Sequence, residues 1–373
     1  MNYRNIQGMR GIAALMVVSG HMFTNIAPMR THWARPYFFI GGVSVAFFFV
    51  ISGFIIYHVI QRSIASMDNM GTGRAVYAFA MKRFIRIYPL YWIVFGTACL
   101  VMAWAPPTAP PHEPMFLLLT LIDNVPNFRV YVVWTLTFEV YFYAMVALSL
   151  FLLEKRAMVG LTFWLAAIGG ASLLGWWVPL PKPLDFVFAP ILLEILLGIA
   201  VAKFVEHGFR RFNGASLAGA LMWIVIGTWF LRPAAFELNV DHLGRLVAIT
   251  RSFALHVVCW GIPAALLVYG LVVVEIRQRW IMPRVLQSLG NASFSIYLWH
   301  AVVFNAVGEL FVRLGWVGVV SSTGLTVLMV AIGLAVGIAS HHFLEKPIRR
   351  RLGDRLLSRA VSSRSLEAGG YAR

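Results

Sequence analysis

Hydrophobic runs of about 17 to 25 residues, separated by short polar, basic or proline-rich breaks, set the pattern of this chain. Ten of them fall near 9–27, 38–60, 86–104, 131–153, 157–177, 184–205, 214–231, 252–275, 291–313 and 317–343. Each is long enough to cross a bilayer as a helix, the form that lets a run of this length satisfy its own backbone in lipid. The pattern predicts an all-α, polytopic membrane bundle of about ten transmembrane helices. A further apolar piece, Met115 to Leu121, is too short to cross and is expected to be re-entrant or interfacial. It follows Ala105-Pro-Pro-Thr-Ala-Pro-Pro-His-Glu-Pro, a stretch that cannot be helical throughout.

Composition agrees, with 60% hydrophobic and 12% charged residues, where a soluble domain is about a quarter charged. The net charge of +16 does not signal nucleic acid, because the basic residues cluster between the apolar runs. With the N-terminus in the cytoplasm, 23 of the 31 lysines and arginines lie on that side, so both termini are predicted cytoplasmic. Residues 1–352 read as one transmembrane domain and 353–373 as a flexible cytoplasmic tail. Cys99 and Cys259 lie inside apolar runs and imply neither a disulfide nor a metal site. No cleavable leader is apparent, and the first run reads as a retained helix. No internal repeat of the kind found in inverted-repeat transporters is visible.

Ionisable groups inside the runs carry the functional argument, because each is costly in lipid. Arg10 opens the first run and His21 follows eleven positions later, roughly 16 Å deeper along a helix. His300 lies roughly 14 Å into its run from the inner side, and Glu139 roughly 12 Å into its run from the outer side. The three are expected to share one layer and one polar cavity. A neutral imidazole suits general-base or proton-relay work near pH 7, although a histidine that merely bonds a neighbouring helix has the same signature. Glu139 reads either as a carboxyl pinning helices or as the group that orients His21. Tyr297 is three residues before His300 and so near the same helical face. Glu194 reads as glue between helices.

Arg83 and Arg86 stand one turn apart at the inner end of the third run. They suit a lipid-phosphate anchor or a clamp on a phosphorylated cytosolic ligand, and Arg10 points to the same side. Ser52 and Gly53 sit in the aromatic wall Phe47-Phe-Phe-Val-Ile-Ser-Gly-Phe. Small residues there mean close helix packing or a narrow passage for an extended ligand arm. No serine triad order is present, and His341-His342 has no ligand partners in register for a metal.

These residues resemble the acyltransferase-3 family of integral-membrane O-acyltransferases, particularly its exopolysaccharide-production subgroup. The resemblance runs through Arg10 with His21, Phe48-Phe-Val-Ile-Ser-Gly-Phe, Arg83-Phe-Ile-Arg-Ile-Tyr-Pro and Trp134-Thr-Leu-Thr-Phe-Glu-Val-Tyr-Phe-Tyr. Gly290-Asn-Ala-Ser-Phe-Ser-Ile-Tyr-Leu-Trp-His and Leu344-Glu-Lys-Pro close it. Thr137 stands where many members carry Ser or Val. The hydrolase-like domain that many relatives fuse to the bundle is not expected here. The resemblance implies transfer of an acyl group, most often acetyl, from cytosolic acyl-CoA to a sugar hydroxyl of a polysaccharide or lipid-linked oligosaccharide. The setting it implies is a bacterial inner membrane, with polysaccharide-synthesis proteins as partners and no permanently bound cofactor. Arg10, Arg83 and Arg86 would then hold the coenzyme phosphates, and Ser52 and Gly53 would flank the pantetheine arm. His21 would act as base or transient acyl carrier, oriented by Glu139. Tyr297 and His300 would steady an oxyanion or line the acceptor side with Trp134. The rival readings are a proton-coupled transporter and a non-catalytic subunit of a polysaccharide assembly machine.

Overall fold

The computed structural model describes residues 3–25, 40–104, 115–121, 130–175, 177–178, 180–181, 184–211, 214–231, 253–316 and 321–354. Among them the chain is helical, with no strand. The helices are α1 (Arg4–Asn25), α2 (Ile40–Met70), α3 (Thr72–Trp104), α4 (Met115–Thr120), α5 (Trp134–Leu153), α6 (Ala157–Gly175) and α7 (Leu184–Val187). After them come α8 (Leu192–Glu206), α9 (Gly214–Leu231), α10 (Phe253–Gln278), α11 (Arg284–Asn291), α12 (Ser293–Arg313) and α13 (Ser322–Ser340). Seven stretches are long and apolar enough to cross a membrane. One of them, Trp134–Gly175, holds two of the expected spans. It turns at Glu154, whose φ of 47° and ψ of −117° break the helical path, and α5 then packs on α6. With α1 and α9, each of the ten expected runs is represented by a helix, and the protein is an all-α integral membrane bundle. The run at 184–205 is interrupted between α7 and α8, where Pro190 lies.

The ends expected in the cytoplasm meet one another. Lys155 Nζ lies 2.6 Å from Asp68 Oδ1, and the Thr72 hydroxyl donates to Glu154 Oε1 at 2.9 Å. Arg277 donates to the Arg210 carbonyl at 3.1 Å. Both α2 and α3 run past the length that a bilayer needs, and Gly71, at φ 82°, turns one into the other. The short α4 does not cross. Tyr88 donates to its Thr120 carbonyl at 2.7 Å and Trp92 to its Leu119 carbonyl at 3.1 Å, fastening it to α3. The proline-rich stretch 105–114 and the tail beyond Asp354 lie outside the described residues.

Local chemistry fixes α1, the helix carrying Arg10 and His21. Its first backbone N–H groups, on Arg4 and Asn5, donate to the two carboxylate oxygens of Glu275 at 2.8 Å each. An anion at a helix N-terminus satisfies orphan donors and complements the dipole. The buried Asn5 amide donates to the Leu271 and Trp280 carbonyls at 3.1 and 3.0 Å, and accepts from the Met282 N–H at 2.8 Å. Further along, α1 and α11 touch backbone to backbone. A Cβ on Gly11 would lie 2.1 Å from the Leu286 oxygen, and one on Gly290 would lie 1.8 Å from the Gln7 oxygen. Small residues permit this approach, which is how helices pack without a hydrophobic driving force in lipid. Behind α12, Gly337 of α13 fits against Ile296, where a Cβ would come within 2.6 Å of its Cα. These contacts seat α1 against α11 and α13 against α12, the helix that carries His300.

Candidate active site

His21 of α1 and His300 of α12 meet directly. His21 Nδ1 is 3.1 Å from His300 Nε2, and the rings stack with centroids 5.2 Å apart and planes 19° apart. His300 is fully buried, and its Nδ1 lies 3.1 Å from the Ile296 carbonyl. A carbonyl only accepts, so the neutral His300 ring carries its proton on Nδ1 and offers the Nε2 lone pair to His21. His21 then donates through Nδ1, with the Val17 carbonyl also beside its ring. The outcome is a His21 imidazole whose Nε2 holds a lone pair, the state a general base requires.

On the side expected to face the cytoplasm two cavities adjoin. The larger, about 830 Å³, is lined by Gln7, Arg10, Lys82, Arg83, Arg86 and Asn291, and by Lys346, Arg349 and Arg350 of the helix that continues α13. The smaller, about 60 Å³, is mostly apolar and has Val45, Phe48, Phe49, Ser52, Thr135, Glu139, Ser293 and Tyr297 in its walls. Arg10, Arg86, Ile55 and Phe294 belong to both and mark the junction. Neither histidine is in the lining. The deep pocket reaches Tyr297, whose ring centroid is 5.9 Å from that of His300. A basic vestibule thus leads into a narrow apolar neck that stops one ring short of the histidine pair.

Arg10, Arg83 and Arg86, expected to share an anion site, do line one cavity. Arg10 donates to Gln7 Oε1 at 3.3 Å. Arg83 lies over the rings of Phe79 and Tyr143, 5.9 and 5.4 Å from their centroids. Its buried Nε has no hydrogen-bond partner among the described residues. Ser52 lines the neck.

Several expectations need correction. Glu139 contacts Arg86 and Tyr143, and none of its contacts among the described residues is with His21. Its Oε1 is 3.6 Å from Arg86 Nη2 and accepts a short hydrogen bond from Tyr143. It therefore belongs with Arg86 and Arg10, and His300 takes the position beside His21 assigned to it. Gly53 does not flank the neck: a Cβ there would lie 1.8 Å from the Ile195 oxygen, so it serves contact between α2 and α8, opposite Gly198. Tyr297 donates a short hydrogen bond to the Val132 carbonyl and pairs with the Thr135 hydroxyl at 2.6 Å. The Ile296 carbonyl likewise takes the His300 Nδ1 proton, so both side chains are anchored to backbone carbonyls. Trp134, at the start of α5, stacks on Phe253 with planes 14° apart and is in neither cavity. Glu194 is glue, as read: His256 Nδ1 lies 2.7 Å from its Oε1, joining α8 and α10.

Lys346, Arg349, Arg350 and Ser293 were not singled out. Ser293 Oγ is buried, faces the neck and has no partner among the described residues. A π turn at His341–Glu345 aims Glu345 inward. There it accepts from Ser295 at 2.7 Å and lies 2.8 Å from His341 Nδ1 and 3.3 Å from Arg349.

The family model described as acyltransferase domain matches residues 3–340. The chain is 28% identical over 347 residues to the exopolysaccharide production protein ExoZ of Rhizobium meliloti (strain 1021), covering 89% of this chain and 96% of that one. It is 26% identical to acyltransferase MdmB of Streptomyces mycarofaciens, covering 94% of this chain and 92% of that one. Against the putative peptidoglycan O-acetyltransferase YrhL of Bacillus subtilis (strain 168) it is 23% identical, over 95% of this chain and 56% of that one. No solved structure matches the chain.

Proposed function

This chain belongs to the acyltransferase domain family, and on that premise we propose that it is a membrane O-acyltransferase moving an acetyl group from cytosolic acyl-CoA to a sugar hydroxyl of a cell-surface polysaccharide or its lipid-linked precursor. The observation that carries this reading is a cationic vestibule beside an apolar neck that ends at Tyr297, whose ring neighbours the paired histidines. The vestibule suits phosphates, for which guanidinium groups are strong partners. The neck suits a thin, largely uncharged arm bearing a thioester. Names of relatives that refer to exopolysaccharide and to O-acetylation support a glycan acceptor. The membrane in question is a bacterial inner membrane, since the donor is cytosolic.

In this scheme His21 Nε2 takes the proton of the acceptor hydroxyl as the oxygen attacks the thioester carbonyl. A C–O bond forms, the C–S bond breaks, and the proton passes from the imidazolium to the departing thiolate. His300 fixes the His21 ring through Nδ1, and the Arg86–Glu139 pair sets the junction through which the donor enters.

The test is transfer of labelled acetyl from acetyl-CoA to candidate lipid-linked oligosaccharides by the reconstituted protein, with mass spectrometry of the producing cell's polysaccharide beside it. Acetylation that disappears in His21→Ala at unchanged protein abundance is the expected result. Proton-driven solute accumulation without donor consumption would instead make the protein a transporter. Acetylation untouched by His21→Ala but lost with the whole chain would make it an assembly subunit.

A further inference from the structure

We infer that the mouth of the vestibule seats a second phosphate, the 3′-phosphate on the donor's adenosine, held by Lys346 and Arg350 with Lys82 lining the same cavity; this rests on the acyl-CoA reading. Arg10 and Arg86 line both cavities and so mark the inner end of the vestibule, whereas Lys82, Lys346 and Arg350 line the vestibule alone. The carboxylates at the site are already engaged. Glu139 meets Arg86 at 3.6 Å, and Glu345 meets Arg349 at 3.3 Å. None of the ion pairs among the described residues engages Lys82, Arg83, Lys346 or Arg350. Arg83 adds a buried Nε that lacks a hydrogen-bond partner among the described residues.

One pyrophosphate at the inner end leaves the mouth with positive charge in excess. A phosphate monoester there, carrying about −1.5 to −2 at neutral pH, balances it. The cavity, about 830 Å³, is within the size range of nucleotide-sized ligands. The π turn at His341–Glu345 supports the assignment. It directs Glu345 into the protein, where Ser295 and His341 hold it, and the following turn presents Lys346 and Arg350 to the cavity. The last helix thereby reads the feature that separates coenzyme A from shorter thioester carriers.

Binding needs no acceptor, so the test is titration of the purified full chain in detergent with coenzyme A and with 3′-dephospho-coenzyme A. Wild type is expected to prefer coenzyme A by about tenfold, the equivalent of one good charged contact. Lys346→Gln/Arg350→Gln is expected to bind the two alike. A second readout needs no variant: coenzyme A should shield Lys346 from an amine-labelling ester, read by peptide mass spectrometry, and 3′-dephospho-coenzyme A should not. Equal wild-type affinities, a preference that persists in the folded double variant, or equal shielding of Lys346 overturns the inference and leaves the donor reading standing. Wild type that binds neither compound removes the donor reading and this inference together.

Discussion

Arg86 of α3 and Glu139 of α5 face each other at 3.6 Å at the point where the vestibule narrows into the neck. Both side chains are mostly buried, at 20% and 12% exposure, so each depends on the other. Removing one partner of such a pair leaves a charge that is only partly hydrated. Arg86→Ala is expected to cost about 3 kcal/mol of stability, and Glu139→Gln less, because Tyr143 can still donate to the amide oxygen. Thermal unfolding in detergent of both singles and the double should show the double more stable than the sum predicts. Strict additivity would mean the pair is not coupled.

Replacing His21 should leave the bundle folded and remove the base. His21→Ala is expected to lower turnover by about 10²–10⁴-fold. His300→Phe keeps the packing and discards the lone pair that holds the His21 ring, so a smaller loss, roughly 10²-fold, is expected. Turnover at saturating donor, normalised to folded protein, checks both. A His300→Phe enzyme as fast as wild type would sever the two rings functionally.

Ser293 offers a prediction of opposite signs. Its hydroxyl is buried and without a partner among the described residues, and an unmet buried polar group costs about 1–3 kcal/mol. Ser293→Ala should therefore match or exceed wild type in melting temperature while weakening donor binding, because the hydroxyl faces the neck. A melting temperature well below that of wild type would show that the hydroxyl is satisfied after all.

Neighbours in sequence, Ser52 and Gly53 should respond in different currencies. A Cβ at Gly53 would lie 1.8 Å from the Ile195 oxygen, so Gly53→Val is expected to reduce the monodisperse yield on size exclusion sharply. Ser52→Leu should give folded protein that binds donor poorly, since the added bulk enters the neck. Normal yield from Gly53→Val would contradict the backbone contact between α2 and α8.

Salt should act on the donor and not on the fold. Raising ionic strength toward about 1 M shortens the screening length to about 3 Å. The KM for donor is expected to rise severalfold with little change in kcat. Indifference of KM to salt would mean that the vestibule charges do not hold the donor.

How much of this was legible beforehand depends on distance along the chain. The spans could be read because a bilayer imposes their length, and the shared side of Arg10, Arg83 and Arg86 because basic residues mark the cytoplasmic face. The meeting of His21 with His300 could be anticipated only as a shared depth. Depth alone could not show that Glu139 pairs with Arg86. Gly53 was ambiguous because a small residue looks the same against a ligand arm and against a helix. Lys346, Arg349 and Arg350 looked like one more positive-inside cluster. Their arrival at the cavity depends on a π turn, which leaves no mark on hydrophobic periodicity.

The Glu275 cap on α1 has a consequence for biosynthesis. The residue that ties down the start of the first helix lies 271 positions after Arg4, and Met282, which closes on Asn5, comes later still. During translation Glu275 therefore emerges only after most of the chain has been made, and the His300 ring that stacks on His21 emerges later still. Fragments that stop short of α12 are therefore expected to lack the His21–His300 contact altogether.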